Sequence, residues 1–219
     1  IKIGSPTLAM PGYDVQVVSE DGKEVGPGIL GAISIKLPLP PGSLPTLWNA
    51  DDRYIESYLS TFPGYYETGD AGYQDEDGYL YIMSRTDDVI NVAGHRLSTG
   101  AMEEAVSNHI DVAECAVIGV LDNLKGQVPL GLVCLNNGCN KPDEVICKEI
   151  IDLVRTEIGP VAAFKSVAVV SALPKTRSGK ILRATIRKIA DNVDWEMPAT
   201  VDNPLVFDEI KKAIKPLGY

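Results

Sequence analysis

Residues 166–190 read SVAVVSALPKTRSGKILRATIRKIA. The first eight residues are small and β-branched, as in a buried strand. Pro174 cannot continue regular pairing, and Thr176, Ser178 and Gly179 are turn formers. Leu182, Ile186 and Ile189 then recur at helical spacing. The stretch is predicted to be strand, loop, helix. It gathers Lys175, Arg177, Lys180 and Arg183 in a chain whose formal net charge is −10. Lys180 is expected at the joint between loop and helix, where free backbone N–H groups favour an anion. Two readings stand at this point. Either the loop meets a phosphate or carboxylate, or it is a solvated basic turn.

Working upstream, residues 142–158 place Ile146, Ile150, Val154 and Ile158 four apart, which predicts an amphipathic helix. VAECAVIGV (112–120) and VPLGLVCLN (128–136) read as buried strands. GAMEEAVSNHI reads as a helix with Thr99 as its N-cap, and DVINVAG followed by HRLS as a short hairpin. Together these predict an α+β module of about three helices on one sheet. Residues 1–84 read differently. DVQVVS (14–19) and LGAISIKL (30–37) are strands, and PLPPGSLP (38–45) is a proline-rich loop. DDRYIESYLSTF (51–62) is a helix, and YYETGDAGYQDEDGYLYIM is a hairpin turning at Asp75–Gly78. The change of character near Arg85–Asp88 predicts two domains, 1–86 and 87–219.

Composition narrows the function. With 30 acidic against 20 basic residues, nonspecific nucleic-acid binding is not expected. No apolar run approaches the roughly 20 residues of a membrane-spanning helix, so no membrane partner is expected. The four cysteines show no CxxC spacing, which points to a reducing compartment, cytoplasm or, in a eukaryote, mitochondrial matrix. The opening IKIGSPTLAMPG has neither signal nor transit character and is expected to continue from sequence upstream.

Three stretches taken together carry a resemblance. Tyr66, Thr68, Gly69 and Asp70 form Y-x-T-G-D. Arg85, Asp87, Asp88, Gly94 and Arg96 form R-x-D-D-x(5)-G-x-R. LPKTRSGKILR (173–183) contains P-K-T-x-S-G-K ending at Lys180. In this order they resemble the last motifs of the acyl-adenylate-forming enzymes, which include acyl-CoA synthetases, luciferases and peptide-synthetase adenylation domains. VINVAGHRLSTG and RTEIGPVAAF resemble the AMP-forming short-chain acyl-CoA synthetases, and KLPLPPG and FPGYYETGDAGY lean toward propionyl- over acetyl-CoA synthetases. The family's glycine-rich phosphate loop and its aromatic-T-E motif are not among these residues. The resemblance therefore implies a fragment. Residues 1–86 would end the large β-rich adenylating domain, and 87–219 would be the small mobile α+β domain. The rest of the same enzyme would be its partner.

The implied reaction uses ATP, coenzyme A and Mg2+ to turn a short-chain carboxylate, propionate or acetate, into its acyl-CoA by way of an acyl-adenylate. The resemblance implies that Asp70 accepts hydrogen bonds from both ribose hydroxyls and that Arg85 also contacts the ribose. It makes Asp87 the hinge and turns Arg96 toward phosphate. Ala93 and Gly94 would flank the passage of the pantetheine arm, and Arg155 would contact the nucleotide part of coenzyme A. His109, with Ser107 and Val112, would hold magnesium, although a lone histidine at a helix end also reads as structural. Lys180 would bridge carboxylate and α-phosphate. Lys175, Arg177 and Arg183 would supply an anion-friendly field. A non-catalytic nucleotide- or CoA-binding module and an adenylation module serving a carrier protein are the alternative readings.

Overall fold

The computed structural model describes residues 1–219, which divide into two compact units, Ile1–Asp87 and Asp88–Tyr219.

The first unit is a four-stranded antiparallel sheet in the order β1 (Val15–Val18), β2 (Gly31–Lys36), β3 (Tyr65–Gln74), β4 (Leu80–Arg85). The turn joining β3 to β4 is closed by the Asp75 carboxylate, which accepts from the Asp77 and Tyr79 N–H groups. Between β2 and β3 lies α1 (Asp51–Tyr58), which ends one turn before the expected residue 62. Tyr54 is its buried residue, whereas Ile55 beside it is exposed. The buried cluster here is small: Val18, Ala32 and Phe62, with Tyr65 against them.

The second unit is built on β7 (Val112–Asp122) and β8 (Gly126–Leu135), paired antiparallel along nearly their whole lengths. β5 (Val89–Val92) and β6 (His95–Ser98) form a hairpin that joins at the start of β8, and β9 (Ser166–Val169) runs parallel to its later half. Alternation sorts the side chains of these strands into two cores. Ala116, Ile118, Val120, Leu130 and Leu132 meet α4 (Arg183–Ala190) and α5 (Val206–Ile214). Val117 and Val133 meet α2 (Thr99–Ser107) and α3 (Asp143–Glu157) on the other face. Gly131 belongs to this second face because a Cβ there would stand 2.7 Å from the Phe164 ring.

Helices therefore cover both faces of the sheet, and there are four of them (α2, α3, α4 and α5) where sequence predicted about three. α5 has no counterpart among the expected elements, although Val206, Phe207, Ile210 and Ile214, all buried, carry the helical period. The cap of α2 is Ser98, whose hydroxyl accepts from Ala101 N–H. Thr99, the expected cap, is the first helical residue and is buried. No helix is long and apolar enough to cross a membrane.

The unequal cores make a prediction. The first unit buries few large side chains and leaves Trp48 92% exposed, so its amides are expected to open locally at low cost. In hydrogen exchange of this chain, β1–β4 should exchange well before β7 and β8. Uniformly slow exchange would show that the first unit is stable by itself.

Candidate active site

In the first unit, Thr68 and Gly69 form a bulge. Asp70 pairs with Ile33 and Glu67 with Ser34, so two residues of β3 stand opposite no partner. The Thr68 hydroxyl donates to Ile33 O and accepts from Asp70 N–H, which fixes the bulge. Gly69 has φ +77°, and a Cβ on it would fall 2.5 Å from Arg85 Nη2. The glycine thus provides both the left-handed backbone and the room for the guanidinium. Arg85, opposite Asp70 on β4, donates to Asp70 Oδ1 at 3.0 Å. The second carboxylate oxygen of Asp70 carries no protein hydrogen bond, which leaves an acceptor available to a hydroxyl. Asp87 closes this unit in a 3-10 turn, Thr86–Asp88, with its carboxylate 3.8 Å from Arg85 Nε.

In the second unit, Ala93 and Gly94 are the two turn residues of the β5–β6 hairpin, with φ of +49° and +88°. Positive φ at both positions gives a mirror-image turn that matches strand twist. The Asn91 side chain accepts from Gly94 N–H, and Ala93 N–H donates to Lys125 O. Nothing in the chain lies within 4 Å of a Cβ at Gly94, so the backbone conformation accounts for the glycine. Arg96 stands two residues beyond on β6, half-buried and opposite Asn91. Arg155 sits in the last turn of α3 and is exposed. With Lys165, Ile151, Gly159 and Phe164 it lines a cavity of about 270 Å³. Lys165 had no role in the sequence reading, because only the turn Gly159–Ala163 brings it to the same opening.

The basic loop differs from expectation. Lys180 is not at a helix N-terminus, since α4 begins at Arg183. It lies in a tight turn closed by its own backbone. Thr176 N–H donates to Lys180 O at 2.8 Å, Lys180 N–H to Thr176 Oγ1 at 3.0 Å, and Gly179, with φ +84°, donates to Thr176 O. Two of the four cations are neutralised inside the chain. Lys175 Nζ lies 2.6 Å from Glu114, and Arg183 makes a two-pronged pair with Glu103. Arg177 and Lys180 are the two cations of the loop that are exposed and without an intramolecular ion pair.

His109 lies at the end of α2, its side chain only 9% exposed. Its Nε2 is 3.0 Å from Glu149 Oε2, and its Nδ1 accepts from Asp111 N–H. Ser107 is exposed, its hydroxyl donating to Glu104 O, and the Val112 side chain is buried. The side-chain donors that converge on His109 are Asp111 and Glu149, which sequence reasoning missed because α3 brings Glu149 from 40 residues away. Two carboxylates and an imidazole suit a divalent ion. However, the Lys141 ammonium already lies 2.9 Å from Asp111 and 3.0 Å from Glu149, so an internal cation meets their charge. Lys141 holds both carboxyls below the usual carboxylate range, with His109 adding to the effect on Glu149. All four cysteines are free thiols, and burial pushes Cys115 and Cys134 up to about 11.

Residues 101–180 match the AMP-binding enzyme C-terminal domain. The chain is 47% identical over 212 residues to the mitochondrial acyl-CoA synthetase short-chain family member 3 of Mus musculus, covering 97% of this chain and 31% of that protein. It is 41% identical over 217 residues to an acetyl-coenzyme A synthetase of Pyrobaculum arsenaticum, covering 99% and 32%. The acetoacetyl-CoA synthetase of Streptomyces lividans shares the fold, with a TM-score of 0.81 at 23% identity over 99% of this chain and 33% of that one. The chain thus spans about a third of the length of the curated relatives it matches.

The Lys141 network makes a prediction with a definite sign. A carboxyl whose folded pKa is lowered contributes stability that is complete above its unfolded value, about 4, and lost as pH falls through the folded value. Between pH 6 and pH 3, Lys141→Met should therefore lose less stability in urea unfolding than the unsubstituted chain. Equal losses would mean that the network contributes nothing.

Proposed function

We propose that this chain, whose residues 101–180 match the AMP-binding enzyme C-terminal domain and which resembles acyl-CoA synthetases over about a third of their length, is part of such a synthetase and contributes Lys180 and part of the nucleotide site to an AMP-forming ligase. The ligase activates a short-chain carboxylate with ATP and passes the acyl group to coenzyme A. The observation that carries the reading is the Lys180 turn, where an acidic chain holds an exposed, unpaired ammonium on a closed loop.

In the first half-reaction a carboxylate oxygen attacks the α-phosphorus of ATP and pyrophosphate leaves. Lys180 stabilises the negative charge shared by carboxylate and α-phosphate. A preorganised cation aimed at developing charge is worth about 3–4 kcal/mol. Asp70 receives the ribose hydroxyls on the acceptor that Arg85 leaves open, and Arg85 holds the carboxylate in place while contacting the sugar. Arg96 faces phosphate. Magnesium, when bound with the nucleotide, supplies charge screening along the triphosphate. In the second half-reaction the thiol of coenzyme A attacks the acyl carbon and AMP leaves. The Ala93–Gly94 turn borders the pantetheine arm, and Arg155 with Lys165 receives the phosphates of the CoA nucleotide at the cavity they line. Asp87 is the pivot between the two half-reactions, because a short polar side chain tolerates two backbone conformations. Propionate is the preferred carboxylate, from KLPLPPG and FPGYYETGDAGY, and the setting is cytoplasm or mitochondrial matrix.

Two substitutions in a complete synthetase containing this chain test the roles. Lys180→Ala should slow carboxylate-dependent ATP–pyrophosphate exchange by on the order of a hundred- to thousandfold. Thioester formation from ready-made propionyl-adenylate and coenzyme A should stay near normal. Unchanged exchange would return the loop to the solvated reading. Asp87→Pro fixes φ and removes a backbone donor, so one half-reaction should fall far more than the other. Equal loss in both would remove Asp87 as the pivot.

A further inference from the structure

The Lys180 turn is tied down on both flanks by carboxylates from elements distant in sequence. On its leading side Lys175 Nζ meets Glu114 Oε1 of β7 at 2.6 Å. On its trailing side Arg183, the first residue of α4, meets Glu103 of α2. Nε and Nη2 donate to Glu103 Oε1 at 3.1 and 2.9 Å, and Nη2 to Oε2 at 2.9 Å. Glu103 Oε1 also accepts from Val117 N–H of β7 at 2.9 Å, so one carboxylate joins α2, the edge strand β7 and the end of the loop. The pair is well shielded, with side chains 19% and 26% exposed, which makes its charge-assisted bonds strong and directional. A third support comes from residues 200–202. Arg177 N–H donates to Thr200 O, Asp202 N–H donates to Lys175 O, and Thr176 is bridged to Val201.

We infer that Glu103 is a positioning residue for Lys180: by clamping Arg183 it sets where the turn ends and hence where the ammonium stands during adenylation. The inference rests on the adenylation role given to Lys180. Lysine has a long flexible stem, and its charge is useful only where its backbone is held. A displacement of about 1 Å at a reacting centre can cost on the order of a hundredfold in rate. Glu114 serves the same end on the leading side, with a smaller effect because the Lys175–Glu114 pair is 36% exposed on each partner.

The test uses a complete synthetase containing this chain and follows the two half-reactions separately. Glu103→Gln keeps the size of the side chain and an acceptor for Val117 N–H, but loses the charge. It should lower pyrophosphate exchange by about tenfold or more through kcat, leaving KM for ATP, the thermal midpoint and thioester formation from propionyl-adenylate near their unsubstituted values. Arg183→Gln should do the same, and the double variant should be no slower than either single one. A purely structural role would lower both half-reactions together with the thermal midpoint, and that result overturns the inference. So does normal exchange in Glu103→Gln alongside the large loss in Lys180→Ala. If Lys180→Ala itself leaves exchange intact, the adenylation role falls and the inference with it. Should Glu103→Gln fail to fold, Lys175→Gln and Glu114→Gln, at an exposed pair, replace it. A two- to fivefold loss confined to exchange supports the clamp, and no loss refutes it.

Discussion

The pairing of β7 with β8 is the constraint on which the second unit depends. Its register, unbroken from Glu114↔Cys134 to Asp122↔Gly126, sends alternate residues to opposite faces. That single choice decides which helices lie on which side. It also decides where functional groups hang. β7 offers Val117 N–H to Glu103 and places Glu114 beside Lys175. β9, paired with β8, leads through residues 170–173 into the basic loop. A one-residue slip would exchange the two faces and uncouple the loop from its carboxylate supports.

The first unit depends on a smaller device of the same kind. The bulge at Thr68–Gly69 turns Asp70 toward Arg85, and only glycine lets the guanidinium lie against the backbone there. Here a sequence motif and its geometry coincide. Threonine locks the bulge, glycine opens it, and aspartate is what the bulge presents. The same economy holds in the Lys180 turn, where Thr176 caps, Gly179 reverses the chain and Lys180 is presented.

What was legible in the sequence follows from how local each cause is. Strands with alternating apolar residues and the Asp75–Gly78 turn are written in adjacent residues, and these elements stand where they were expected. The ends of helices were less legible. Ser98 and Thr99 are equally good caps by composition, and the choice between them rests on where β6 ends. α1 stops early because Leu59 leaves helical geometry. The candidate motif residues could be named individually. The groups that hold them could not, since Glu103 and Arg183 are 80 residues apart and Asp111 and Glu149 meet only because α2 and α3 pack side by side. α5 is the exception. Its period was visible in Val206, Phe207, Ile210 and Ile214, but no motif drew attention to it.

The division of strands between the units has an evolutionary consequence. Neither sheet borrows a strand from the other, and the chain passes from one to the other at Asp87–Asp88. Recombination at that peptide would leave every hydrogen-bonded ladder whole. A lineage could therefore exchange the segment bearing the lysine turn while keeping the segment bearing the aspartate bulge, and each could diversify at its own pace.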